Sequence, residues 1–385
     1  MVAATIGLAV VYVTLGASQQ WDFETYYFAA SAVRSGLNPY DLGSLSAVAG
    51  RQVELPFLYP PVALSPFLPL SHLSLEHASL LWLGLKCILA LSLLWIWWRE
   101  FVRKTGMSLY LYIPIALFGF DVALLWDLRT GNIALVEAML LWLGVLGYLR
   151  GRYWVSATLI AFASVFKVYP ILFLLLFLTP QTSVRSRILP MITGVVILGL
   201  LVLLPLPSFG SWISAMVHSV SGDRPLPDVN PSALGVLDWA LSPIVASAPH
   251  TSWVAPALYL LFVIALLLGS SRALRRAWAS PHAMDRVITA LLLWFLLSPR
   301  VMVYSYASAV APSLLVLHRR IATPSLRAGA CSLLVMQALV RFAPGHPPIW
   351  VGAASFVLIL GIWILWVQPT RLPGTPDQSL PEVAT

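Results

Sequence analysis

The sequence has very little charge for its length. Charged residues make up 10% of the 385 residues, whereas hydrophobic residues make up 59%. A soluble globular protein needs far more charge on its surface, so that class is excluded. Only two cysteines are present, Cys87 and Cys331, and both lie inside apolar runs, which excludes a disulfide framework. The net charge of +8 comes from short arginine clusters between apolar runs, a pattern that does not indicate binding of nucleic acid.

Long apolar runs dominate the chain instead. A helix needs about 20 apolar residues to cross roughly 30 Å of hydrocarbon. The runs predict about twelve transmembrane helices, some of them short or interrupted. Their approximate ranges are 1–17, 73–98, 108–126, 132–149, 153–166, 168–179, 188–206, 253–271, 286–299, 301–317, 325–342 and 349–367. We therefore expect an all-α polytopic membrane protein, with residues 1–370 forming a single domain.

Basic clusters follow alternate predicted spans. They are Arg99, Arg103 and Lys104; Arg150 and Arg152; Arg185 and Arg187; Arg272, Arg275 and Arg276; and Arg319 and Arg320. The positive-inside rule places such clusters in the cytoplasm. This topology predicts a multi-pass protein of the inner (plasma) membrane with both termini cytoplasmic. Residues 18–72 and 207–252 then lie outside, and the proline-rich residues 371–385 form a disordered cytoplasmic tail.

The first outer connection concentrates acidic and aromatic residues. Its start, "QQWDFETYYFAASAVRSGLNPYD", keeps an apolar face at helical spacing, so we expect amphipathic helices on the outer leaflet. Asp22 lies beside Trp21, within one turn of the membrane edge. Partial desolvation there would raise the proton affinity of its carboxylate, which suits a general base. The alternative is that Asp22 caps the helix that follows it.

Other ionisable residues fall at the same predicted outer edge, and several should share one cavity with Asp22. They are Glu24, Asp127, Arg129, Lys167 and Arg300. In "SVFKVYPILFLL", Lys167 and Pro170 interrupt a stretch that is long for one crossing and short for two. Irregular backbone at membrane depth is tolerated only where protein or water surrounds it, so this break also points to a cavity.

Several segments, taken in order, resemble one family. "WDFETYYFAASAVRSGLNPYD" and "FLYPPVALSPFLPL" are similar to the first outer loop of the family-87 glycosyltransferases, membrane enzymes of the GT-C type that use a polyprenyl-phosphate sugar. The likeness continues in "LRTGNIALVEAM", "NPSALGVLDW" and "LLSPRVMVYSYASAVAP". The resemblance implies the GT-C fold and an inverting transfer of a hexose, typically mannose. The partners would be the polyprenyl-phosphate donor, a lipid or glycan acceptor and membrane lipids.

The resemblance also implies roles for individual residues. An acid in the first loop is the family's catalytic base, and it matches Asp22. The departing phosphate calls for cations, for which Lys167, Arg300 and Arg129 are candidates, with membrane anchoring as the alternative. The candidate substrate-binding residues are Glu24, Tyr26, Tyr27, Tyr59, Asp127, Asn132, Tyr304 and Tyr306. We expect no cofactor and no metal, because the histidines lack an accompanying carboxylate cluster.

Many family members carry tryptophan and histidines after the late "SP", where this chain has "RVMVYSYA", so the acceptor and the donor sugar stay open.

Two other functions remain open at this point. A transporter or flippase for polyprenyl-linked sugars or lipids is one alternative, because Lys86, Asp121 and Glu137 are charges inside predicted spans. An enzyme like the O-antigen ligases or polymerases is the other, although such enzymes usually carry their large outer loop late in the chain.

Overall fold

The structure is a computed structural model that describes residues 2–15, 20–178, 183–203, 206–221, 229–247, 252–342 and 350–368. The predicted tail at 371–385 lies outside these residues. Within them the chain is helical and has no β-strand, as predicted. The α-helices described are α1 (Val2–Leu15), α2 (Trp21–Arg34), α3 (Leu42–Ala49), α4 (Leu75–Trp97), α5 (Leu109–Thr130), α6 (Ala134–Leu149), α7 (Tyr153–Phe166), α8 (Val184–Leu203), α9 (Leu206–Ser221), α10 (Ala233–Ser247), α11 (Val254–Ala279), α12 (Ala283–Leu297), α13 (Val310–Arg320), α14 (Pro324–Arg341) and α15 (Trp350–Val367).

Each predicted span overlaps a helical segment. Two of them contain 3₁₀-helix, at Tyr169–Phe177 and Val303–Ala309. Among the described residues, five segments are long and apolar enough to cross a membrane: Leu75–Thr105, Leu109–Thr130, Arg185–Leu203, Val254–Ala279 and Trp350–Val367. These segments are typical of a membrane protein, whereas the count of about twelve crossings stays a prediction.

The chain forms two compact units. The amino-terminal unit comprises Leu8–Leu93 and Trp126–Arg224. The carboxyl-terminal unit comprises Met1–Gly7, Leu94–Leu125 and Pro225–Thr385. The assignment of residues 1–370 to one domain stays a prediction.

Much of the first predicted loop is buried inside the amino-terminal unit. Its aromatic residues form one cluster with a residue of α4: Phe23, Tyr26, Tyr40, Phe57, Phe67 and Trp82. Most of α2 is buried, and its alanines, Ala29, Ala30 and Ala32, allow neighbouring segments to approach closely. The prediction of an amphipathic helix lying on the outer leaflet is therefore wrong for α2. By contrast, α3 buries only Leu45 and has the one-sided burial expected of such a helix.

The predicted break at Lys167 is confirmed. α7 ends at Phe166, Lys167 has extended backbone with φ −148° and ψ 136°, and the chain continues as the 3₁₀-helix Tyr169–Phe177. Runs of 3₁₀-helix longer than about four residues are uncommon. The hydroxyl of Tyr148 donates to the carbonyl of Leu176 at 2.9 Å, and this helix packs against α7 and α8. Protein thus packs against one side of this helix, whereas Val168, Leu172 and Leu175 are exposed, and the cavity expected at the break stays a prediction.

The carboxyl-terminal unit contains a left-handed turn inside α5. Phe120, Asp121 and Val122 have φ of 52°, 60° and 54°. Such a backbone costs about 1–3 kcal/mol at each non-glycine residue. The buried carboxylate of Asp121 forms a two-atom ion pair with Arg341 of α14, with Nε 2.9 Å from Oδ1. The ring of Phe120 packs on Tyr306 with the centroids 5.8 Å apart, so side-chain contacts on two sides hold the turn.

Candidate functional site

Asp22 lies in the first turn of α2. Gln20 is the N-cap residue of this helix, and no side chain caps the helix start. The carboxylate of Asp22 instead accepts a hydrogen bond from Nδ2 of Asn132 at 2.9 Å. The capping role considered for Asp22 is therefore wrong, and its carboxylate belongs to a group of side chains from several elements.

Asn132 orients this carboxylate. Its Oδ1 accepts from the backbone N–H of Ala134, the first residue of α6, at 2.9 Å. Its Nδ2 donates both to Asp22 and to the hydroxyl of Tyr26, the latter at 3.1 Å. An amide whose oxygen is held by a backbone N–H must point its two donors the other way. Buried Asn132 therefore holds Asp22 and Tyr26 in fixed positions.

The turn that carries Asn132 requires glycine at position 131. Gly131 has φ +71°, and a Cβ there would lie 2.7 Å from Cβ of Phe23. The indole of Trp82 donates to the carbonyl of Gly131 at 2.7 Å. The close packing of α2 against Gly131 and the hydrogen bond from Trp82 of α4 thus place Asn132 beside Asp22.

Two tyrosines extend the group. The hydroxyls of Tyr26 and Tyr59 are 3.2 Å apart, and their rings meet edge to face with centroids separated by 5.5 Å. Burial, followed by the nearby Asp22 charge, raises the pKa of the Tyr59 phenol. The phenol therefore stays neutral at physiological pH and can donate a hydrogen bond.

The environment of Asp22 suits a general base. Burial raises the pKa of Asp22 to about 6, against the opposing effects of the Asn132 hydrogen bond and of the positive charge of Lys86. Asp22 as a whole residue is half-buried, so burial perturbs its carboxyl although the residue is not fully enclosed. A carboxyl with this pKa is mainly ionised at neutral pH yet binds a proton better than an ordinary aspartate.

Lys86 and Asp127 form a buried ion pair beside this group. Lys86 Nζ lies 2.8 Å from Asp127 Oδ2, and it also donates to the Asp127 carbonyl. Ala78, Trp82 and Lys86 follow one another at four-residue spacing on the buried face of α4. In the sequence, Lys86 favours a transporter or flippase, and it is not among the predicted site residues. The available signal was its position in a span, where a lysine requires a partner.

Lys167 faces the same group from the end of α7. The acidic residues whose charges act on it are Glu137, Asp127 and Asp22. Buried Glu137 of α6 also interacts with the hydroxyl of Tyr169, just beyond the break. The amino-terminal unit thus gathers six of the predicted site residues: Asp22, Tyr26, Tyr59, Asp127, Asn132 and Lys167. Glu137, whose charge acts on Lys167, and Thr130, which favours the ionised form of Asp22, are further members of the group.

Three other predicted residues of this unit are engaged elsewhere. Glu24 forms an ion pair with the exposed Arg51. The hydroxyl of Tyr27 donates to the carbonyl of Leu73 at 2.7 Å. The guanidinium of Arg129 lies over the ring of Tyr12 at 5.2 Å and over that of Trp126 at 5.7 Å.

The remaining predicted residues, Arg300, Tyr304 and Tyr306, lie in the carboxyl-terminal unit. Arg300 is exposed, whereas both tyrosines are buried. The hydroxyl of Tyr306 donates to the carbonyl of Pro231 at 2.5 Å. Oδ1 of Asn230 accepts from the backbone N–H of Val301 at 2.7 Å, so the segments "NPSALGVLDW" and "SPRVMVYSYA" contact each other. Tyr306 therefore has a structural role here.

The family assignment follows from a comparison with family sequence models. The model described as glycosyltransferase family 87 matches residues 57–299, well over half of the chain. The chain belongs to glycosyltransferase family 87. Neither the comparison with curated proteins nor that with solved structures finds a match. A family-87 glycosyltransferase is an enzyme that transfers sugars, and this assignment decides against the transporter or flippase.

The matched residues include only part of the candidate site. Lys86, Asp127, Asn132 and Lys167 lie inside the family-87 match, and Asp22 precedes it. Arg300 follows the last matched residue directly. Asp22 is therefore linked to the matched residues through its hydrogen bond with Asn132, which lies inside the match. No group of three or more His, Cys, Asp or Glu side chains in the described part of the chain could hold a metal ion, and metal independence stays a prediction.

Proposed function

We propose that this protein transfers a hexose, with mannose as the first sugar to test, from a polyprenyl-phosphate donor to a hydroxyl of a lipid or glycan acceptor. The transfer inverts the anomeric centre and takes place at the extracytoplasmic face of the inner membrane, with both termini in the cytoplasm. Asp22 is the general base. The observation that carries the proposal is the carboxylate of the half-buried residue Asp22, held by Asn132 and surrounded by charges from α4, α5 and α7.

The chemistry needs one base and a stabilised leaving group. Asp22 takes the proton of the acceptor hydroxyl. The oxygen of that hydroxyl forms a bond to the anomeric carbon of the donor sugar. The bond from that carbon to the phosphate oxygen breaks, and polyprenyl phosphate leaves with the electron pair. Lys167 stabilises the departing phosphate, because it is a cation whose charge acts within the group that contains Asp22. The phosphate-binding roles of Arg129 and Arg300 stay predictions from the sequence.

Asp22→Asn tests the base directly. The substitution keeps the size of the side chain and removes its basicity, so the rate should fall at least ~100-fold. Thermal stability should not fall, because burial opposes ionisation of Asp22 in the folded protein. The assay follows transfer from labelled polyprenyl-phosphate mannose to total membrane lipid.

Glu24→Gln is the matched control, because Glu24 lies in the same turn of α2 but pairs with Arg51 at the surface. A surface ion pair contributes about 0–1 kcal/mol, so this variant should keep most of its activity. Full activity of Asp22→Asn, or loss of activity in Glu24→Gln alone, would refute the assignment of the base.

Lys167→Met tests the phosphate contact. Loss of a preorganised charge that stabilises a leaving group should lower kcat/KM for the donor ~100-fold or more. Lys167→Arg keeps the charge and should recover part of the activity. If Lys167→Met turns over normally, Lys167 serves only to neutralise Glu137 and Asp127, and the phosphate contact must come from another cation.

A further inference from the structure

The amino-terminal unit has a cavity of about 740 Å³ that the proposed chemistry does not use. It lies between the turn at residues 38–42 and one face of α9. Its size falls within the range of about 300–1,000 Å³ typical of small-molecule sites. Its polar lining residues are Asn38, Tyr40, Asp41, Ser211, Ser214 and His218.

One wall of the cavity is a face of α9 built from small residues and a histidine. Gly210, Ser211, Ser214, Ala215 and His218 recur at the spacing of one helix face. Trp212, on another side of α9, donates from its indole to the carbonyl of Leu58 at 3.0 Å. This bond fixes α9 against the first loop, and the small side chains leave the cavity open.

The opposite wall presents oriented acceptors. Asp41 is the N-cap of α3 and accepts from the backbone N–H of Ser44 at 2.7 Å and from its hydroxyl at 2.8 Å. These bonds hold the pKa of Asp41 below its usual value, so it is ionised. Oδ1 of Asn38 accepts from the backbone N–H of Tyr40 at 3.0 Å. Both side chains are therefore fixed before any ligand binds.

The chemistry of the lining favours an uncharged polyol. None of the described residues that line the cavity is a lysine or an arginine, so these residues offer a phosphate no cation. Carboxylate and amide oxygens accept hydrogen bonds, and serine hydroxyls both donate and accept. Sugar hydroxyls need both kinds of partner, and this lining supplies both.

Tyrosines connect this cavity with Asp22. The hydroxyl of Tyr40 donates to the carbonyl of Tyr59 at 3.0 Å, and the hydroxyl of Tyr59 meets that of Tyr26. Asn132 donates to both Tyr26 and Asp22. We propose that the cavity binds the sugar headgroup of the acceptor, in the same unit as Asp22 and linked to it by these contacts. This inference rests on the proposed function and deepens it.

The test measures binding of a sugar headgroup without turnover. Saturation-transfer NMR on purified protein uses octyl α-D-mannoside, octyl β-D-glucoside and octyl β-D-galactoside as probes, with octanol as the reference for binding through the alkyl chain. Ser214→Trp places a bulky ring in the cavity and should weaken saturable binding of the best hexoside at least ~10-fold. Ile213→Trp places the same bulky side chain at an exposed neighbouring position of α9 that does not line the cavity. This control should bind the hexoside normally.

The outcomes separate the two proposals. If Ser214→Trp loses hexoside binding and Ile213→Trp keeps it, the cavity is supported as a sugar site. If the wild type transfers no sugar, that result refutes only the proposed function. In an active wild type, Ser214→Trp should raise KM for the acceptor at unchanged KM for the donor. Equal binding by the two variants, or no saturable hexoside binding by the wild type, would overturn the inference.

Discussion

At the scale of single residues, Asn132 decides what Asp22 can do. Its hydrogen bond stabilises the ionised carboxylate, while burial works against ionisation. The same amide holds Tyr26, so Asn132 affects both the ionisation and the orientation of the Asp22 carboxylate. Thr130 also favours the ionised form of Asp22, less strongly than Asn132 does. The pH dependence of the reaction should therefore report on this group.

We expect kcat/KM to rise with pH through an acidic limb with an apparent pKa of about 6, the value for Asp22. Below this pH Asp22 is protonated and cannot accept the proton of the acceptor. Asn132→Leu removes the bond that favours the ionised form, so its limb should move to higher pH. Thr130→Val should move the limb in the same direction by less. If the acidic limb of Asn132→Leu stays at the wild-type pH, the limb does not report the titration of Asp22 and the prediction is wrong.

Some of these residues could be predicted from the sequence. Asp22 and Lys167 are charges at a membrane edge, where ionisable groups are costly and often functional. The orienting role of Asn132 could not be predicted, because it depends on a contact between residues 110 positions apart. Glu24 shared the pattern of Asp22, yet it pairs with Arg51 at the surface, since the side chain two positions along a helix points in another direction.

At the scale of elements, the turn between α5 and α6 organises the site. Gly131 packs against α2 and receives the indole of Trp82 from α4. Predicted helices coincide with observed ones because apolar runs of helical length have few alternatives in a membrane. The burial of α2 was not predicted, because alanine is compatible with both a surface helix and a buried one.

Gly131→Ala should show how much the site depends on this close approach. The new Cβ would clash with Cβ of Phe23, which should cost about 1–3 kcal/mol beyond the backbone strain and displace Asn132 from Asp22. Gly151→Ala is the matched control, since Gly151 has φ +69° and open space around it. Thermal unfolding in detergent and transfer activity are measured for both variants. Equal losses would mean that the positive φ alone requires glycine at position 131.

At the scale of the whole molecule, membrane topology remains the prediction that places the chemistry. Helix lengths support a membrane protein, and the arginine clusters predict which ends face the cytoplasm. The sequence predicts sidedness because basic residues are retained on one side during insertion, and this sidedness stays a prediction. The sequence could not predict the division into two compact units, which depends on contacts between distant segments.

Cysteine labelling in intact cells tests this topology. In a background with Cys87→Ala and Cys331→Ala, Ala47→Cys should react with a membrane-impermeant maleimide, and Lys104→Cys should react only after the cells are permeabilised. Both positions are exposed, so accessibility within the protein does not limit either reaction. Labelling of Lys104→Cys alone in intact cells would place the Asp22 group on the cytoplasmic side.

The ion pair between Asp121 and Arg341 has a consequence for biosynthesis. The two residues are 220 positions apart, so the ribosome synthesises Asp121 long before its partner. At about 5–20 residues per second, the nascent chain waits roughly 10–45 s for Arg341. During this interval the insertion machinery must accommodate an acidic side chain on a left-handed turn without its arginine. Ribosome-bound chains that lack α14 should therefore be the most sensitive to membrane quality-control proteases.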